Sequence, residues 1–253
     1  MRRMVTRGLL PATALLLVTF CRVASAQMIL NGGFENNGGA GTPFVSDWTS
    51  ADQFGSADSF YVQTGTGSPV FGQTVPAPPA GIYAVMTDSG GAGSHVLYQD
   101  FVVPAGFVGP ADLSFQVFIN NQAGDFVAPT SLDFTAALNQ QARIDLLTAA
   151  SDPFSVAGSD VLLNLFQTNP GDPLISGYTL VSKNVSSLFA AHAGQTLRLR
   201  IAEVDNVNVL NFGVDAVRLT VAPSAVPEPG SLALGLLGGV GLLSALRRRR
   251  PRT

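Results

Sequence analysis

Apolar residues alternate with polar residues in several short stretches of this 253-residue chain, and this two-residue period constrains the fold more than any other feature. In ADLSFQVFIN, four apolar residues fall on one face of a β-strand: Leu113, Phe115, Val117 and Ile119. In GQTLRLRIAEV, the leucines and the isoleucine point one way while Arg198 and Arg200 point the other. This second stretch predicts an antiparallel strand with one face in solvent.

The last apolar stretch, LNFGVDAVRLTV, changes its phase around Asp215. Before this residue one set of alternate positions is apolar, and after it the other set is apolar. A β-bulge at Asp215 would return all the apolar residues to one buried face and would also redirect the carboxylate. The sequence therefore predicts a bulged strand here.

Turn-forming Gly, Asn and Pro residues separate these stretches, and helical periodicity is scarce. The stretch DVLLNLFQ fits a short helix or a strand equally well. Many short strands with frequent turns predict an all-β protein, an antiparallel two-sheet β-sandwich, rather than alternating βα units. We expect this sandwich to form one domain over residues 27–222.

The N-terminus is typical of a secretory signal peptide over residues 1–26. Three arginines precede an apolar run at 9–20, and Ala24 and Ala26 are the small residues that signal peptidase requires before a cleavage site. Cleavage would leave Gln27 as the first residue of an exported protein.

The exported region is acidic and contains no cysteine. Cys21, the only cysteine of the chain, lies in the signal peptide, which excludes disulfides and a cysteine nucleophile from the mature domain. Between residues 27 and 226 there are five basic and sixteen acidic residues, a net charge of −11. Such a domain is a poor ligand for nucleic acid, and its carboxylates suit divalent cations.

The C-terminal segment, residues 223–253, combines a Pro-Glu-Pro motif, an uncharged apolar run at 232–246 and arginines at 247–250. As a helix the run would span about 22 Å, against about 30 Å of hydrocarbon in a bilayer. The arginines would stay on the cytoplasmic side and the acidic domain outside. The segment is therefore either a weak membrane anchor or a label that is removed.

This arrangement resembles the PEP-CTERM sorting signal. The matching residues are Val226, Pro227, Glu228 and Pro229 for the motif, and Arg247, Arg248, Arg249 and Arg250 for the terminal cluster. The resemblance implies that the C-terminal transmembrane helix holds the protein transiently in the inner membrane, that an exosortase removes it, and that the protein reaches the cell surface or extracellular matrix. Proteins of this kind are associated with exopolysaccharide and biofilm.

Three further motifs, NGGFE at 31–35, LYQDF at 97–101 and FGVDAVRL at 212–219, resemble galactose-binding-like jelly rolls, which include carbohydrate-binding modules. The resemblance implies that the first and last strands are neighbours and that Glu35 and Asp215 hold a structural calcium ion. Two adjacent carboxylates would otherwise repel each other. The alternative is that Glu35 caps a turn and Asp215 accepts backbone amides at the bulge.

No catalytic constellation stands out. His95 and His192 are about a hundred residues apart without a ligand-spaced partner, so the sequence predicts neither a zinc site nor a histidine-based triad, and we expect both on loops or on the surface. Trp48, Tyr61 and Tyr178, with Phe54, are candidates for stacking on sugar rings, although aromatic residues more often serve packing.

The sequence thus predicts an exported, non-enzymatic surface or matrix protein that binds polysaccharide. The alternative is a secreted hydrolase that uses acidic residues on polysaccharide, because a pair of carboxylates flanking a glycosidic bond cannot be recognised from sequence among sixteen acidic residues.

Overall fold

The computed structural model describes residues 28–88 and 90–221, which form ten β-strands and one short helix. The strands are β1 (Thr49–Asp52), β2 (Phe60–Thr64), β3 (Tyr83–Thr87), β4 (Gly93–Val102), β5 (Ala111–Asn121), β6 (Gln140–Thr148), β7 (Val161–Gln167), β8 (Thr179–Asn184), β9 (Thr196–Asp205) and β10 (Leu210–Val221), and helix α1 (Ser186–Ala191) lies between β8 and β9. The ambiguous stretch DVLLNLFQ is therefore a strand, β7.

The strands form two antiparallel sheets of five strands each. Sheet I has the order β1-β4-β9-β6-β7, and sheet II has the order β2-β3-β10-β5-β8. One apolar cluster takes residues from both sheets, such as Leu97 and Ile201 from sheet I and Phe115 and Val214 from sheet II. The predicted all-β, two-sheet antiparallel sandwich is confirmed.

The predicted bulge in the last strand is also confirmed. The pairing of β10 with β5 shifts register between Asp215 and Arg218, and Ala216 has a φ of 51°. Val214 before the shift and Val217 after it are both buried in the core. One extra residue thus returns the strand to the same buried face, as the phase change in the sequence requires.

The start of the described chain contacts this bulge. The backbone N–H of Val217 donates to the carbonyl oxygen of Gly32 at 2.7 Å. The first strand, β1, instead pairs with β4 in the other sheet. The contact between the two ends of the domain is therefore made by the turn around Gly32 and not by β1.

The prediction that Arg198 and Arg200 face solvent is wrong. Their exposed fractions are 8% and 0%, and they lie on the outer face of sheet I under the segment 149–160. This segment has no hydrophobic period of its own, so the strand pattern alone could not show that it covers the sheet.

Strand β8 forms an edge of sheet II and is mostly exposed. It carries Lys183, which is the only lysine of the chain.

The signal peptide with Ala24, Ala26 and Gln27, and the segment 223–253 with its Pro-Glu-Pro motif, apolar run and arginines, lie outside the described residues. Within 28–88 and 90–221, no helix is long and apolar enough to cross a membrane.

Candidate functional site

Three buried charges lie side by side on the outer face of sheet I. Arg143 donates from Nε and Nη2 to the two carboxylate oxygens of Asp145, both at 2.8 Å, and Arg200 donates to Asp145 from the neighbouring strand. Burial by itself would raise the pKa of Asp145, but the hydrogen bond from Arg143 and the positive charges of Arg200 and Arg143 outweigh it, so that this pKa is lowered. Asp145 is therefore ionised within a paired network.

The arginines of β9 hold the covering segment by its backbone. Arg200 donates from Nη1 to the carbonyl oxygen of Pro153 at 2.8 Å, and Arg198 donates from Nη1 to that of Ser151 at 3.0 Å. Arg198 also forms a bidentate ion pair with Asp100, in which Nε donates to Oδ1 at 2.7 Å and Nη2 donates to Oδ2 at 2.9 Å. The two guanidinium groups thus fix residues 149–160 on the sheet, because a planar guanidinium can donate to several acceptors at once.

A second covering segment, residues 128–139, is fixed by Gln53. The side-chain amide of Gln53 donates to Asp133 Oδ1 at 2.6 Å, and its Oε1 accepts the backbone N–H of Phe134 at 3.1 Å. Asp133 Oδ1 also accepts from the backbone and hydroxyl of Thr135. One amide side chain therefore positions both the acidic residue and the backbone next to it.

A groove of about 510 Å³ opens between these two segments. We call it the acidic groove, and it is lined by Gln53, Thr130, Ser131, Leu132, Asp133, Asp152, Phe154, Ser155, Val156 and Asp160. It combines carboxylates, hydroxyls and an amide with a half-buried aromatic ring. This combination can hydrogen-bond the hydroxyls of a ligand and pack against its apolar face.

Two carboxylates of the acidic groove are held in their ionised form. The hydrogen bond from Gln53, with those from Thr135, lowers the pKa of Asp133. The hydrogen bond from Ser155 lowers the pKa of Asp160. Both groups are hydrogen-bond acceptors at neutral pH.

The candidate aromatic residues do not form one platform. Trp48 is 8% exposed, packs against Phe34 with a centroid distance of 5.3 Å, and donates from Nε1 to the carbonyl oxygen of Asn31. It belongs to the inner core. Tyr178 packs against Phe118 at 5.7 Å on the outer face of sheet II, where burial raises its pKa. The structure therefore gives Trp48 and Tyr178 packing roles.

Tyr61 and Phe54 are more accessible. Tyr61 is half-buried on the outer face of sheet II, and its hydroxyl donates to Asp58 Oδ1 at 3.3 Å. Phe54 is fully exposed and follows Gln53 of the acidic groove in the chain. Phe154, which sequence reasoning did not select, is the aromatic residue that lines the groove.

Glu35 and Asp215 both face the turn before β3. Glu35 Oε1 accepts the backbone N–H of Ile82 at 2.8 Å and of Tyr83 at 3.1 Å, and Asp215 Oδ2 accepts that of Ala80 at 3.1 Å. Burial raises the pKa of Asp215 to about 7, and the charge of Glu35 adds to this. The structure brings the two carboxylates to one turn. Their amide donors fit the capping alternative, and calcium at this pair stays a prediction.

The two histidines differ in their surroundings. His192 is half-buried in the turn after α1, in keeping with the expected loop position. The expectation of a surface position is wrong for His95, which is completely buried in β4 opposite Glu203 of β9. The sequence could not show this pairing, because the two residues are brought together only by the register of the two strands.

Comparison with known proteins gives no family assignment. No protein-family model and no curated protein matches the chain. Among solved structures, the chain is similar to the carbohydrate-binding module TmCBM61 in complex with β-1,4-galactotriose, at 11% identity and a TM-score of 0.44 over 78% of this chain and all of the other. It is also similar to the K3 adhesin domain of Lys-gingipain from Porphyromonas gingivalis, at 13% identity and a TM-score of 0.44 over 76% of this chain and 99% of the other.

A Stig cyclase from Fischerella sp. TAU shows the same degree of similarity, with 17% identity and a TM-score of 0.44 over 79% of this chain and the whole of the other. These three proteins include a binding module, an adhesin domain and an enzyme. At such identities and TM-scores the similarity says nothing about what this chain binds or catalyses.

Proposed function

We propose that this protein is an exported, non-enzymatic surface or extracellular-matrix component whose jelly-roll domain binds a neutral polysaccharide in the acidic groove. The observation that carries the proposal is the lining of this groove, to which Asp133, Asp152 and Asp160 contribute together with the aromatic residue Phe154. Sugar hydroxyls donate to carboxylates, and the C–H faces of pyranose rings pack on aromatic side chains.

The walls of the groove favour binding because they are already positioned. Gln53 holds one wall through Asp133 and Phe134, and Arg198 and Arg200 hold the other. A preformed site loses less conformational entropy when it takes up a ligand. An extended, weakly hydrophobic chain such as a polysaccharide needs this advantage more than a compact apolar ligand does.

The charge of the domain favours a neutral polymer. The three arginines nearest the groove, Arg143, Arg198 and Arg200, are buried and engaged with Asp145 and Asp100. An anionic polysaccharide would meet the carboxylates of the groove without a free cation to pair with, and like charges in contact reduce affinity.

The ionisation of the groove argues against the hydrolase alternative. A glycosidase needs one carboxylic acid whose pKa is raised, so that it can protonate the leaving oxygen. Hydrogen bonds instead lower the pKa values of Asp133 and Asp160. Two ionised acceptors in a groove support binding rather than acid catalysis.

Export and sorting are supported by the sequence at both ends. Residues 1–26 have the three parts of a signal peptide, and 223–253 have the three parts of the PEP-CTERM signal in their usual order. The partners that this part of the proposal requires are signal peptidase and an exosortase.

The test is affinity electrophoresis and calorimetry of the purified protein with neutral hexose polymers and with uronic-acid polymers, alongside a reducing-sugar assay. We expect binding to a neutral polymer and no release of sugar above a heat-inactivated control. Phe154→Ala should weaken this binding about tenfold, which corresponds to about 1.4 kcal/mol.

Phe44→Ala is the matched control, because Phe44 is an exposed phenylalanine outside the groove. Equal losses in the two variants would contradict the assignment of the groove. Sugar release that requires Asp133 or Asp160 would replace the binding function by the hydrolase alternative.

A further inference from the structure

The interior of the sandwich contains three titratable side chains at one end of sheet I. In the pairing of β4 with β9, His95 lies opposite Glu203, and Gly93 lies opposite Asp205. These positions continue the core-facing row that includes Leu97 and Ile201. His95, Glu203 and Asp205 therefore point into the sandwich and not toward solvent, and all three are buried.

Several polar atoms of this cluster have no hydrogen-bond partner among the described residues. They are His95 Nε2, both carboxylate oxygens of Glu203, and Asp205 Oδ1. One nitrogen of His95 and one oxygen of each acid all lie within 4.8 Å of one another. Buried polar groups are normally paired, so a convergent set of unpaired acceptors requires an explanation.

The orientation of His95 is fixed from outside the cluster. Its Nδ1 lies 2.8 Å from Asp52 Oδ1, on the neighbouring strand β1. With Asp52 as the acceptor, Nδ1 carries the proton and donates it, which leaves Nε2 with a lone pair and no hydrogen-bond partner among the described residues. A histidine that binds a metal through one ring nitrogen usually donates the N–H of the other nitrogen to a group such as a carboxylate.

Two further features keep the site in shape. A Cβ atom on Gly93 would lie 2.4 Å from His95 Nε2, so only glycine leaves room for the ring at this place. The carboxyl group of Asp205 also lies near the backbone N–H groups of Gly93 and Leu210, while its Oδ1 has no hydrogen-bond partner among the described residues.

We propose that His95, Glu203 and Asp205 bind a divalent transition-metal ion of the Zn²⁺ class, with Asp52 positioning the imidazole. A positive ion would supply the partner that all four unpaired acceptor atoms lack. One imidazole nitrogen with carboxylate oxygens suits Zn²⁺ and its neighbours, whereas Ca²⁺ and Mg²⁺ prefer ligand sets made of oxygen alone. The proposal is independent of polysaccharide binding, because the cluster shares no residue with the acidic groove.

A cavity adjoins the cluster at Asp205. It has a volume of about 190 Å³ and is lined by residues 90–92 and 206–209. Without an ion, burial and the charge of Asp205 raise the pKa of Glu203, and burial raises the pKa of Asp205.

The experiment uses protein purified without a histidine tag, stripped with a chelator, incubated with Zn²⁺ and desalted. We expect about one retained Zn²⁺ per chain and a melting temperature that rises by roughly 5–10 °C at a hundredfold excess over Kd. Co²⁺ in place of Zn²⁺ should give visible absorption bands that Zn²⁺ removes. Equal concentrations of Ca²⁺ should not displace the ion.

Glu203→Gln keeps the shape of the side chain and should abolish retention of Zn²⁺. Asp52→Asn should weaken it by about ten- to a hundredfold, since it affects only the positioning of the imidazole. His192→Gln, which removes the other histidine of the chain, should leave binding unchanged. Failure of the unaltered protein to retain either metal, or equal retention by Glu203→Gln, would overturn the proposal, and the Co²⁺ spectrum of the unaltered protein decides the matter if a variant does not fold.

Discussion

At the scale of single residues, the stability of the sandwich depends on charged side chains that are buried, although the sequence pattern predicts that charged residues lie on the surface. Asp145 is completely buried between Arg143 and Arg200, and removing its charge would leave two guanidinium groups without their partner. Asp145→Asn should therefore lower the free energy of unfolding by about 3–5 kcal/mol. Urea denaturation measures this loss directly.

Asp100→Asn provides the comparison for Asp145, because the partner of Asp100 is also an arginine but the side chain of Asp100 is 38% exposed. We expect it to cost about 1 kcal/mol or less. Similar losses for the two variants would show that the network around Asp145 is no stronger than an ordinary surface pair.

Asp145 should also make stability depend on pH. The pKa of Asp145 is lowered in the folded protein, since Arg143 and Arg200 outweigh the effect of burial. The unfolded chain then takes up a proton first, near pH about 4, so this stabilisation is present above that pH and is lost as the pH falls through the lower pKa of the folded state. Urea unfolding between pH 7 and pH 3 should show a shallower acid dependence in Asp145→Asn than in the unaltered protein.

The predicted calcium site can be tested with a substitution of Glu35. If the pair of Glu35 and Asp215 binds Ca²⁺, adding Ca²⁺ to chelator-treated protein raises the melting temperature, and Glu35→Gln removes most of this rise. The backbone amides that both carboxylates accept remain in place in the variant. An unchanged melting temperature of the unaltered protein on Ca²⁺ addition would establish the capping role instead.

At the scale of elements, the alternating sequence pattern predicted the strands but not the irregular segments that cover them. It predicted β5, β9 and the bulge in β10, because a period of two residues and a change in its phase are local properties of the chain. It placed Arg198 and Arg200 in solvent, because the covering segment 149–160 is irregular. It likewise missed the pairing of His95 with Glu203 and the lining of the acidic groove, which depend on register and on contacts between residues far apart in sequence.

The NGGFE motif has a physical role at the bulge. Gly32 lies so close to β10 that a Cβ atom on it would be 2.0 Å from the carbonyl oxygen of Val217. Asn31 holds the same turn through its side chain, which bonds the backbone of Asn36 and Ser46. The start of the domain is thus fitted onto the irregular part of its last strand.

Gly32→Ala should therefore destabilise the domain by about 1–3 kcal/mol, because the added methyl group forces Gly32 and Val217 apart. Gly33→Ala is the control, since a Cβ there would meet only the side chain of Glu35 at 3.9 Å. Thermal unfolding of both variants tests this, and equal losses would mean that glycine matters here for backbone flexibility and not for close approach.

At the scale of the whole molecule, most of the basic side chains of the domain are buried. Arg143, Arg198 and Arg200 are buried, so among residues 28–88 and 90–221 only Lys183 and Arg218 expose a lysine or arginine side chain. A surface of this kind repels nucleic acid and other polyanions. Binding to a neutral polysaccharide should change little between low and high salt, and a steep dependence on salt in calorimetry would contradict the proposed ligand class.

Intact-mass measurement tests whether the N-terminal and C-terminal segments are removed. We expect an intact mass that begins at Gln27 and ends near Pro227 to Pro229, because signal peptidase and exosortase would each remove one end. A mass that extends to Thr253 would show instead that the C-terminal segment is a lasting anchor.

The chain's only lysine lies where it can affect the association of one copy of the domain with another. Lys183 stands on β8, an exposed edge of sheet II whose outer backbone groups are open to another strand. A charged side chain on such an edge disfavours the addition of a strand from a second copy. If the protein forms the extracellular layer proposed above, we expect this single ammonium group to hinder the sheets of neighbouring copies from joining edge to edge.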